Sequence, residues 1–137
     1  MERTQDWPER LAQTVAWAQS IPYEIGRHDC LIFACKCIEA MTGVDFWPKF
    51  AGYKTRREAV ETLAKHGSTL EAAAASVIGT ELLAPLSARR GDLVTFRDKY
   101  GEHLGVCTGH HVAVLGHQGL IHVRLDHPGL GSTLRIG

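Results

Sequence analysis

The chain has 137 residues, and its 15 Lys plus Arg offset 15 Asp plus Glu for a formal net charge of +0. That length suits one domain, and a composition 45% hydrophobic and 22% charged is that of a folded globular protein. Neutral balance removes the electrostatic grounds for a nucleic-acid or anionic-lipid partner, and no apolar run approaches the roughly 18–20 residues that span a bilayer.

Met1 to Asp6 lacks the apolar core of a secretory signal, so synthesis in the cytoplasm is expected. Asp6-Trp7-Pro8-Glu9 opens a first helix, with Asp6 at or just before the N-cap and Pro8 in the first turn. Leu11, Val15, Trp17 and Ala18 give it an apolar face until Ile21-Pro22. A loop then leads to Asp29, a natural N-cap. Cys30 to Met41 follows as a helix apolar on most sides, stopped by Thr42-Gly43. A helix of that kind is buried, which makes it the expected centre of the fold.

Thr55-Arg56-Arg57-Glu58 and Ser68-Thr69-Leu70-Glu71 each match the capping box, so two short helices are predicted over 56–66 and 69–78. After Arg89-Arg90-Gly91 the period becomes strand-like: Asp92 to Phe96, His103 to Thr108, Val112 to Leu115 and Leu120 to Leu125. Helices first and an antiparallel meander second imply α+β. One domain is expected over 1–137, helical over 5–80 and a meander over 91–125. The stretch 127–137 reads as a flexible tail, because Gly129, Gly131 and Ser132 weaken any element there.

Four cysteines (Cys30, Cys35, Cys37 and Cys107) in a chain long enough to build its own core are expected as thiols. Cys35 and Cys37 lie about 200° apart around a helix and cannot pair without unwinding it. Six of the eight histidines fall in the last 35 residues. Cys30, just after the N-cap aspartate, stands where free N–H groups and the helix dipole favour an anion, which biases its thiol toward the nucleophilic thiolate. The competing reading is a small buried hydrophobe. Later in the chain, Gly91-Asp92-Leu93-Val94-Thr95-Phe96 turns into a strand, and His103-Leu104-Gly105-Val106 opens the next. An imidazole there can take or share the cysteine proton if the fold joins the two.

Asp29-Cys30 at the start of an apolar helix, then Gly-Asp-Leu-Val-Thr-Phe, then His-Leu-Gly-Val, resembles the NlpC-type branch of the papain-like cysteine peptidases over residues 26 to about 123. Gly26-Arg27-His28-Asp29-Cys30 with Met41-Thr42-Gly43 is further similar to small tail-associated versions from bacteriophages and gene transfer agents. The resemblance implies a papain-like fold, with Cys30 as nucleophile, His103 as general base and a third polar residue on the next strand. A hairpin centred near His110 puts His117 opposite His103; a tighter turn shifts the pairing to Gly116, and His111 is a rival.

The function so implied is a cysteine hydrolase opening amide bonds in cell-wall peptides, docked on a tail-tip hub protein and built into the virion tail. No cofactor, metal or nucleic acid is implied, nor insertion into a membrane. Leu130, Leu134 and Ile136 are expected to contribute to docking. Two alternatives stay open: a structural tail-tip subunit with weakened activity, and a metal-binding protein using Cys and His, although no paired C-x-x-C or helical H-x-x-x-H occurs. Trp47, in a loop, is a candidate lining residue for a substrate groove.

Overall fold

The computed structural model describes residues 1–137. Four helices pack on a six-stranded antiparallel sheet, an α+β arrangement. Helix α1 spans Trp7–Gln19 and α2 spans Cys30–Thr42. Asp29 starts α2 by accepting the Ile32 N–H at 2.9 Å, and Gly43 ends it in the left-handed conformation, its N–H donating to the Glu39 carbonyl. Eight α2 side chains are buried, among them Phe33, Ile38 and Met41. Each such large apolar side chain contributes about 1.5–3 kcal/mol of burial free energy. This helix is the spine of the larger apolar core, in which α1, α2 and α4 (Leu70–Ile78) meet the sheet.

Helix α3 (Arg56–Ala64) is capped as its sequence predicts. Thr55 Oγ1 accepts the Glu58 N–H at 3.1 Å, and Glu58 returns its carboxylate to the Lys54 N–H and the Thr55 hydroxyl. At α4 the cap moves by one residue: Thr69, not Ser68, accepts from the Ala72 N–H. No α3 residue is buried, so this helix lies on the surface, where it lines a cleft with Cys30.

The strands are β1 (Leu82–Leu83), β2 (Leu93–Asp98), β3 (Gly101–Cys107), β4 (His111–Gly116), β5 (Gly119–Arg124) and β6 (Leu130–Leu134), in spatial order β1-β6-β2-β3-β4-β5. Strand alternation sends Leu104, Val106, Ala113 and Leu115 into the helix-side core. Val94, Phe96, Cys107, Val112 and Val114 go into a second cluster. Gly105 belongs to that second face. A Cβ there would lie 2.6 Å from Val112 Cγ1 and 2.8 Å from Val114 Cγ2, so the valines occupy the space a side chain would need.

Two expectations change. The segment 127–137 is not a flexible tail, because β6 inserts between β1 and β2. Its pairing with β2 shifts between Val94 and Phe96, and Thr95 Oγ1 accepts the Ser132 N–H at 2.8 Å there. Leu130, Leu134 and Ile136, expected at a docking surface, are all buried in the protein itself.

Candidate active site

Asp29 organises the start of α2. Its Oδ1 caps the helix, while Oδ2 accepts the Gly26 N–H at 2.9 Å and the Tyr53 hydroxyl at 2.6 Å. All three donors are neutral, which satisfies a carboxylate only 3% exposed without a cation. Gly26, at φ +81°, passes so close to the Tyr53 carbonyl oxygen that a Cβ would collide with it. This knot fixes the backbone one residue before Cys30.

Burial pushes the Cys30 thiol up to about 12, against hydrogen bonding from the backbone at Leu104, Cys30 and Leu31, which pulls it down; the neighbouring Asp29 charge adds to the rise. The expected thiolate bias is therefore overturned. The free N–H groups of the helix start do favour the anion, but desolvation outweighs them. Cys30 is nevertheless the accessible thiol of the four, since Cys35, Cys37 and Cys107 are buried.

His103 comes to the cleft from β3. The β2–β3 ladder runs in register out to Asp98↔Gly101, whereas the β3–β4 ladder stops at Gly105↔Val114. Residues 101–104 of β3 are thus paired on one side only, at the end of the strand beside Cys30. His103 is 7% exposed, and its Nε2 lies 3.0 Å from Asp98 Oδ1. A carboxylate only accepts, so Nε2 carries the proton and Nδ1 is the basic nitrogen. Asp98 is itself held by the Tyr100 N–H at 2.8 Å. Burial pushes its carboxyl up, but the hydrogen bonds from His103 and Tyr100 and the charges of His103 and His117 prevail and leave it below the usual range.

Cys30, His103 and His117 line one cleft of about 270 Å³, walled by α3 and the start of α4. His117 stands between two tyrosines, with ring centroids 4.7 Å from Tyr23 and 4.9 Å from Tyr100, and does not hydrogen-bond His103. The β3–β4 register, extended by two residues, puts Gly116 opposite His103. The partner on the imidazole is Asp98 instead. That residue was legible: a two-residue turn at Lys99-Tyr100 pairs Phe96 with His103 and leaves Asp98 on the neighbouring diagonal. His111 is exposed at the far end of β4, opposite Arg124, and takes no part. Trp47 meets Tyr53 edge-on at 5.5 Å but does not line the cleft.

No three His, Cys, Asp or Glu side chains converge as metal ligands. Cys37 lies in the helix-side core and Cys107 in the second cluster, so the metal-binding alternative has no ligand set. No helix is long and apolar enough to cross a membrane.

What the cleft holds is a thiol at a helix start, an imidazole whose Nε2 is turned to Asp98, and an apolar wall. No curated protein matches this chain in sequence. A family model described as a domain of unknown function, DUF6950, matches residues 2–129, which include all four helices and strands β1 to β5. The chain belongs to the DUF6950 family.

Proposed function

We propose that this protein is a cysteine hydrolase with an NlpC-type papain-like fold, acting on amide bonds of cell-wall peptides. The observation that carries the reading is the Asp98–His103 hydrogen bond at 3.0 Å on the cleft that Cys30 lines. Orienting the base through one ring nitrogen is the third part of a nucleophile–base–orienter set. Cys30 rests as a neutral thiol. In the reaction its proton passes to His103 Nδ1 as sulfur attacks the carbonyl carbon. His103 returns that proton to the leaving amine as the C–N bond breaks, leaving a thioester. Water then gives a proton to His103 and its oxygen to the acyl carbon, and the carboxylic acid leaves as Cys30 regains its proton.

The experiment is digestion of purified peptidoglycan fragments, read by mass spectrometry for newly freed amines. Cys30→Ala and His103→Ala should each remove nearly all hydrolysis, and the double variant should be scarcely worse than either single one. Wild-type rates in His103→Ala would discard His103 as the base.

The likeness of residues 26–30 and 41–43 to small tail-associated versions extends the proposal to its setting: a subunit docked on a tail-tip hub, made in the host cytoplasm and delivered with the virion. Particles washed in high salt should retain the protein at fixed stoichiometry. Its presence only in lysate rejects the tail role. A structural tail subunit of the same fold is the second reading, favoured by the burial that keeps Cys30 protonated. Particles that hold the protein while the purified protein cleaves nothing would select it.

A further inference from the structure

We propose that the free edge of β5 pairs antiparallel with β5 of a second copy of this chain, joining the two sheets across a twofold axis at His122. The inference stands apart from the hydrolase reading, and neither Cys30 nor its cleft enters it.

Strand β5 is the last in the order β1-β6-β2-β3-β4-β5, so one of its sides has no neighbouring strand. The Leu125 N–H donates to the His110 carbonyl at 3.3 Å, on the β4 side. Main-chain groups alternate sides along a strand. Gly119, Ile121 and Val123 therefore bond toward β4, while Leu120, His122 and Arg124 point outward. Such an edge is ordinarily blunted by brevity, proline, lysine or a bulge. The opposite edge follows that rule, since β1 is only Leu82–Leu83 and Pro85 comes soon after it. β5 has none of these devices. Its sequence is Gly-Leu-Ile-His-Val-Arg, and it pairs with β4 from His111↔Arg124 to Gly116↔Gly119 without a shift. Its one charged residue, Arg124, is matched by Asp126 at 3.2 Å in the same chain.

The strand is complementary to itself, which selects a second copy as the occupant. A twofold axis at His122 sets it against the partner's His122 and sets Leu120 against the partner's Arg124. This register brings every outward residue of both strands into a hydrogen-bonded pair. The Arg124 carbonyl already accepts the His127 N–H at 3.0 Å, and its second lone pair serves the new bond. Between these pairs Ile121 meets the partner's Val123, at the positions where side chains on neighbouring strands come closest. Ile121 is 43% exposed on the single chain, so pairing covers an aliphatic group that the fold leaves in water. With a net charge of +0, two copies approach without long-range repulsion. The contact is isologous and closes at two copies.

Sedimentation equilibrium over a dilution series should give twice the chain mass when concentrated and the chain mass when dilute. Ile121→Lys puts a charge on each side of the seam and should leave only monomer with an unchanged circular dichroism spectrum. Cross-linking reads the register, in Cys30→Ala protein so that the accessible native thiol is gone. His122→Cys should form an intermolecular disulfide on mild oxidation, because facing Cα atoms of a hydrogen-bonded pair lie about 5.5 Å apart. Ile121→Cys, which faces the partner's Val123, should not. In the wild type, amide exchange at Leu120, His122 and Arg124 should slow about tenfold on concentration, with Ile121 and Val123 unchanged. A chain that is monomeric at every concentration overturns the inference and leaves the edge to a strand of another protein. A dimer that survives in folded Ile121→Lys protein, or that cross-links through Ile121→Cys in preference to His122→Cys, overturns it as well. Should Ile121→Lys fail to fold, the cysteine pair and the exchange pattern decide.

Discussion

Two buried aspartates are held in opposite ways. Asp29, at the start of α2, is satisfied by two backbone N–H groups and a phenol. Asp92, at the start of β2, is fully buried and faces two guanidiniums: Arg3 Nη2 at 3.3 Å from Oδ1, and Arg135 Nε at 3.2 Å from Oδ2. It also accepts the Ile136 and Arg89 N–H groups at 3.1 and 2.9 Å. Arg3 goes on to the carbonyls of Ile136 and Arg90, both at 2.8 Å, so one carboxylate ties the first residues of the chain to the last and to the β2 turn. Cations serve where the fold must be clasped. Beside Cys30 they are absent from the knot, and burial governs the thiol.

That contrast can be broken most heavily at Asp92. Asp92→Ala leaves two arginines facing each other without a counter-charge, and should cost about 3–5 kcal/mol, the range for breaking a buried ion pair. Urea unfolding measures it, and hydrogen exchange should show residues near both chain ends opening first. Asp29→Ala should cost less, about 2–3 kcal/mol, for a lost cap and a buried hydroxyl left without its acceptor. Salt sharpens the difference: 1 M NaCl should narrow the gap between wild type and the Asp92 variant and leave that for Asp29 unchanged. Equal salt responses would remove the distinction between the two sites.

Alkylation probes the uncharged knot directly. Iodoacetamide should label Cys30 before Cys35, Cys37 or Cys107, because it is the accessible thiol. With its thiol pushed up to about 12, the thiolate fraction rises with pH, so the rate should climb close to tenfold per unit from pH 7 to 10 with no plateau. A plateau near neutrality would mean that His103 already holds the proton. The smallest effects concern the imidazole's neighbours. Asp98→Asn should lower kcat by one to three orders of magnitude, by analogy with loss of an orienting carboxylate, whereas His117→Ala should cost only a few-fold. The reverse order would return the orienting role to His117.

The start of α2 was legible because its determinants are local: Asp29, an apolar run and Thr42-Gly43 lie within 15 consecutive residues. The short apolar runs of Leu93 to Phe96 and of Val112 to Leu115, bounded by turn residues, announced strands for the same reason. Strand β6 was not legible. Gly131 and Ser132 argue against a strand locally, and only pairing with β1 and β2 on either side, with Thr95 taking the Ser132 N–H, decides otherwise. The expectation for His117 rests on the β3–β4 hairpin, whose centre depends on where the turn falls. The tighter β2–β3 turn fixes its register in fewer residues, and that register holds Asp98. The Cys30 thiol shift lay beyond reach for another reason: a helix start can be read from four residues, but the desolvation opposing it belongs to the folded surroundings.

The hairpin tip at residues 98–101 carries three separate contacts. Asp98 holds His103, the Tyr100 carbonyl accepts from Arg56, and the Tyr100 ring meets His117 at a tilt. Exposed turns are ordinarily where a chain accepts extra residues and where tags are inserted with least harm. Here one added residue would move all three contacts at once while sparing the core clusters. An insertional scan of this protein should therefore find a tip that tolerates insertion for folding and expression but not for the chemistry of the cleft.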